Sequence, residues 1–67
     1  MTIEVWYDQY TNSWVSQVKD AEGNQVGNAD YVHSKREALK CAQWSREENK
    51  GSVIKVFKRN GELQKEM

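Results

Sequence analysis

The sequence has no proline, one cysteine, one histidine and four glycines. One cysteine cannot close an intramolecular disulfide, so a disulfide-stapled scaffold is excluded. One histidine, His33, with no second histidine or cysteine near it, is a poor start for a metal site. The glycines stand at 23, 27, 51 and 61. That spacing matches neither a phosphate-cradling loop nor a dinucleotide fingerprint. No apolar run approaches the ~18 residues of a membrane-spanning helix. No basic stretch precedes an apolar one, so a secretory leader is not expected. Neither charge sign is in excess: ten Lys and Arg balance ten Asp and Glu. A polyanion-binding tail is therefore not expected.

What the chain does have is rings. Three Trp, three Tyr and one Phe stand among 67 residues, against a mean hydropathy of −0.97. A chain this short forms one small domain with little interior. Large rings bury much area per residue and offset the short chain. The expected picture is one thin core with a solvated exterior.

Period-two patterning marks the strands. In Thr2 to Tyr7, Ile3, Val5 and Tyr7 alternate with Thr2, Glu4 and Trp6. A second strand is expected from Trp14 to Lys19, after the polar turn Asp8 to Ser13. Asp20-Ala21-Glu22-Gly23-Asn24 reads as a turn in which Gly23 takes positive φ. Gln25 to Val32 is a weaker strand, where Gly27, Asn28 and Asp30 signal a bulge. Ser34-Lys35-Arg36-Glu37 fits a capping box. The helix it opens carries Ala38, Leu39, Cys41, Ala42 and Ser45 on a narrow stripe of mostly small residues. It runs to Asn49, with Gly51 as its left-handed stop. Ser52 to Arg59 is a fourth strand. Asn60-Gly61 predicts a two-residue type I′ hairpin, and Glu62 to Lys65 a short edge strand. The fold class is α+β: a small antiparallel sheet of four to five strands, in the order β-β-β-α-β-β, with one helix on one face.

One helix covers one face of a sheet. Parity assigns Ile3, Val5, Trp14, Val18, Ile54 and Val56 to the covered face, with Leu39 and Ala42 from the helix. The opposite parity holds Trp6, Val15, Val53 and Phe57. Those four are the candidate interface: a monomer rarely exposes a large contiguous apolar patch, so either a second copy or another partner covers it, or loops and long Lys side chains do so within the monomer.

The neutral total conceals a division. Residues 1–33 carry a net charge of −4 and residues 34–67 a net of +4. Lys50, Lys55, Lys58 and Arg59 follow one another with no acid between them. Lys55, Phe57, Lys58 and Arg59 form a candidate basic strip around a ring, the combination that single-stranded nucleic-acid platforms use. The ordinary reading of the division is that acids on early strands face bases on the late ones. Candidates for chemistry are few. Cys41 lies on the apolar stripe and is expected to act as a small hydrophobe. Glu47 and Glu48 point about 100° apart on a helix and make no pair.

Several of these segments carry a resemblance. Trp14-Val15-Ser16-Gln17-Val18, Gly23, Tyr31 to Ala38, Val53-Ile54-Lys55-Val56 and Asn60-Gly61-Glu62-Leu63 together resemble the bacterial family called domain of unknown function 2188. The likeness covers roughly residues 14 to 66. Asn60 stands where that family often has Asp, and Leu63 where it has Ile. The YegP-like family is similar in flavour. Neither resemblance implies an activity or site residues. Ser13 to Glu48 also resembles the arm-type DNA-binding domain of tyrosine integrases, three strands followed by a helix. Those domains are typically basic, whereas the first three strands here are acidic. The resulting expectation is a non-enzymatic cytoplasmic module, with no cofactor, metal or catalytic residue. It acts through protein contact, self-association first, using Trp6, Val15, Val53 and Phe57. The alternative is nucleic-acid binding through Lys55, Phe57, Lys58 and Arg59.

Overall fold

A computed structural model describes all 67 residues. The strands are β1 (Thr2–Asp8), β2 (Ser13–Lys19), β3 (Gln25–Val32), β4 (Val53–Phe57) and β5 (Leu63–Glu66), with one helix, α1 (Lys35–Glu48), between β3 and β4. The expected order of elements holds. The sheet has five strands in the order β3-β2-β1-β4-β5.

The sheet is mixed rather than antiparallel, because β4 pairs parallel with β1. The reason lies in the connection. A hairpin reverses the chain, whereas a helix carries it back to the end of the sheet where it started. The 14 residues of α1 span about 21 Å. They lift the chain off edge strand β3, cross the sheet and set β4 down beside β1. The other three pairings are antiparallel.

The covered face is the one that parity assigned. Ile3, Val5, Val18, Ile54 and Val56 pack under Ala38 and Ala42, and Trp14, Val32 and Leu39 close the margins. Cross-strand register builds this core: Ile3 lies between Val18 and Ile54, and Val5 between Ser16 and Val56. The small side chains of Ala38 and Ala42, both fully buried, let the helix sit close to the sheet. Ser16 is buried in the same layer, and its hydroxyl has no partner.

The helix starts where the capping pattern placed it. Ser34 is extended, and its hydroxyl accepts the Glu37 N–H at 3.2 Å. Only this half of the capping box forms. His33, just before the cap, is exposed and staples nothing. At the other end, Gly51 takes a φ of +90° two residues after the Asn49 cap.

Two hairpins share one loop design. In the first, Gly23 donates to the Asp20 carbonyl and Asp20 N–H to the Asn24 carbonyl. In the second, Gly61 donates to the Lys58 carbonyl and Lys58 N–H to the Glu62 carbonyl. Each is a three-residue loop with a left-handed glycine in last place. The second corrects the expected type I′ turn: only Gly61 has positive φ there, and Asn60 does not. The Asn60 side chain instead accepts the Glu62 N–H, which stabilises the longer loop. In the first loop the Asp20 carboxylate accepts the N–H groups of both Asn24 and Glu22. The Asn24 bond is the main cause that holds this carboxyl below its ordinary value of 3.8.

Ser34→Ala removes the side-chain cap at the start of α1 and is expected to cost about 1 kcal/mol, read as a lower urea midpoint. Asp20 predicts a pH dependence. Its depressed pKa contributes stability that is present above 3.8 and is lost as the pH falls through the lower, folded-state value. Asp20→Asn should therefore show a stability deficit at neutral pH that closes below pH 3.8, measured by urea titration of both proteins across the acid range.

Candidate functional site

The face without a helix is organised in rows. Trp6 lies beside Val15, and Val15 beside Tyr31. On the other side Phe57 lies beside Leu63. Trp6 and Phe57 follow the paired residues Val5 and Val56 by one position and line a common hollow of about 250 Å3. The result is one row, Tyr31–Val15–Trp6–Phe57–Leu63, that crosses all five strands. Trp6 and Phe57 alternate with core residues Val5 and Val56, and residues opposite one another share a face, so the row points away from the helix.

Three of the four candidate interface residues fall in this row, with different roles. Trp6 and Phe57 are half-buried. The Trp6 indole N–H donates to the Gln17 side chain at 3.1 Å. The ring is thereby fixed and its polar atom satisfied, while part of the apolar surface stays open. Val15 is fully buried beneath its neighbours. It supports the row and offers no surface of its own, which corrects its place as a contact residue. Val53 stands elsewhere. It pairs with Thr2, four residues back along β4 from Phe57. A polar row of Gln17, Glu4, Lys55 and Glu66 separates it from the rings.

The ends of the row, Tyr31 and Leu63, are 56% and 49% exposed. Sequence reasoning did not single them out. Their alternation was legible, but their partners were not: Tyr31 meets Val15 only because a bulge shifts the β3 register. Leu63 meets Phe57 because the three-residue loop sets Lys58 against Glu62, one step from the register of a two-residue turn.

The basic strip does not assemble around Phe57. Lys55 shares its face, but its register neighbours are Glu4 and Glu66. Lys58 lies beyond the end of β4 and is exposed. Arg59 is held elsewhere. Its guanidinium sits 4.3 Å from the Tyr7 ring centroid, and Nη2 donates to the Tyr7 hydroxyl. Tyr7 in turn meets Trp14 edge-on at 5.4 Å, and the Lys35 ammonium lies over Trp14. This chain of cations and rings closes one end of the sheet.

Beside it, the β1–β2 and β4–β5 loops frame an open hollow of about 640 Å3, with Trp6, Tyr7, Tyr10 and Arg59 among its walls. Its polar atoms bond mainly to one another: Tyr7 Oη to Asn12 Oδ1, and Tyr10 N–H to Asp8 Oδ1. No three His, Cys, Asp or Glu side chains gather where they could hold a metal ion. No helix is long and apolar enough to cross a membrane. Burial, followed by the negative charges of Asp30 and Glu37, raises the Cys41 thiol above its ordinary pKa.

No protein-family model, curated protein or solved structure matches this chain. The geometry alone therefore carries the functional reading.

A raised thiol pKa means little thiolate near neutrality, and the thiolate is the reactive form. Cys41 should react with a disulfide reagent at pH 7.5 more slowly in the native protein than in urea. Equal rates would show the thiol to be open and unperturbed.

Proposed function

We propose that the protein is a small contact module that pairs with a second copy of itself through the uncovered sheet face. The observation that carries this reading is the row Tyr31–Val15–Trp6–Phe57–Leu63, which spans the full width of the sheet with no helix over it. Aromatic anchors at the centre of a surface, flanked by polar residues, are the usual anatomy of an interface.

Charge favours a second copy as the occupant. Glu4 and Glu66 on this face are balanced by Lys19 and Lys55, and Lys19 already pairs with Glu4 at 3.1 Å. The chain as a whole is neutral. Two copies therefore meet without net repulsion. A two-fold axis near Trp6 superposes the ring row on itself, as an isologous contact requires. The size of the face sets the strength. Five strands at ~4.8 Å make a sheet about 24 Å wide, and the whole molecule extends 28 × 21 × 21 Å. A standard interface takes about 800 Å2 from each partner, which would need most of this face. The contact is therefore weak and reversible.

The lone reduced thiol suits a cytoplasmic setting. The resemblance to domain of unknown function 2188 brings no activity with it. Nucleic-acid binding draws little support from a strip whose Arg59 is committed to Tyr7 and whose Lys55 lies between two acids.

Sedimentation equilibrium at high micromolar concentration should give a mass approaching twice 7.8 kDa. Phe57→Lys should weaken this association by more than about tenfold, as loss of a central ring does. A monomer at every concentration would sink the proposal. So would tight binding of labelled oligonucleotides in low-salt anisotropy, where electrostatic affinity is greatest.

A further inference from the structure

A second surface lies on the other side of the molecule, between α1 and edge strand β3. Here β3 bulges. Val26 pairs with Val18 and Asp30 with Ser16, so five residues of β3 span what three span on β2. Gly27 takes a φ of +71° to make the turn. The bulged residues Gly27, Asn28 and Asp30 line a groove of about 410 Å3 against the helix. Val18 and Val26 form its floor on the sheet side, and Cys41 and Trp44 form the helix wall. Trp44 is 64% exposed, more than any other tryptophan. The core does not use this ring, and it lies outside the row on the uncovered face.

The electrostatics of the groove have one sign. Asp30 and Glu48 line it, and no cation does. Glu37 lies one helical turn before Cys41, and its charge and that of Asp30 both reach the thiol.

We infer that this groove binds a short basic segment of a partner protein, with one bulky apolar side chain seated between Val26 and Trp44. Lys or Arg residues on either side of that anchor meet Asp30, Glu37 and Glu48. A cation can also stack on the open Trp44 ring. The bulge blunts the β3 edge against plain strand addition. Recognition therefore rests on the anchor and the charges rather than on a continuous backbone ladder. This site is independent of the self-contact proposed above.

The test uses the intact protein at low micromolar concentration. The probe is an array of hexapeptides with Lys or Arg at four positions and Phe, Trp, Leu or Ile at the centre. A matched array carries Glu in place of the bases. Backbone amide shifts report the location. The basic array should bind, with shifts confined to β3 and the Cys41–Glu48 stretch of α1, and should slow modification of Cys41. Trp44→Ala should weaken binding by about tenfold or more. Glu48→Lys, on an exposed helix position, should do so without touching the ring. Phe57→Lys should leave it unchanged. Failure of every basic peptide overturns the inference, as does equal binding of the acidic array or shifts centred on Trp6 and Phe57. Self-association of the chain that Trp44→Ala abolishes and Phe57→Lys spares also overturns it, because a second copy would then be the occupant.

Discussion

The structure depends on one constraint: a single helix has to close a five-stranded sheet. Ala38 and Ala42 make this possible. Their small side chains bring α1 down onto Ile3, Val5, Ile54 and Val56, and the core is formed in that one layer. A larger residue at either position would lift the helix and open the core to water, since interiors are close-packed and tolerate little added volume. With its only helix committed to one side, the chain has nothing left to cover the other side or the bulged margin of β3. Both candidate contact surfaces follow from that shortage.

The helix also decides the topology. It carries the chain across the sheet and makes β4 parallel to β1, which places β1 at the centre. From this position β1 sets both layers at once. Ile3 and Val5 enter the core, and Trp6 joins the row on the uncovered face. Glu4 lies between them in the register and pairs with Lys19. A central strand with side chains committed on both faces holds its register firmly, because a one-residue slip would exchange the two faces.

The charges are arranged by the same topology. The acidic and basic halves of the chain meet along one strand boundary, β1 beside β4, where Glu4 lies opposite Lys55. The other strands lie outward from that boundary, β2 and β3 on one side and β5 on the other. One ion pair, Lys19 to Glu4, is all that forms. A chain with zero net charge can still present a surface of a single sign. That sign matters at close range, since salt screens exposed charges beyond about 10 Å.

Much of the architecture was legible without coordinates, because local rules govern it. Alternation identified the strands and the covered face. Ser34 and Gly51 bracketed the helix, and Gly27 with Asn28 announced the bulge. These signals lie within a few residues of what they determine. Strand neighbours are a different matter, since they depend on where a distant segment returns. Nothing near Val53 says that it will pair with Thr2, away from Trp6. Nothing near Arg59 says that Tyr7, on a strand begun fifty residues earlier, will hold it. Trp44 shows the same limit. On a helix wheel it is one more large residue beside the apolar stripe. Only the fold sets that ring beside the bulged residues of β3, on the wall of a groove. Sequence determined which residues are apolar, where the chain turns and how its charge is divided. Tertiary structure decided which of them meet, because register and strand order are set by long-range packing against one helix.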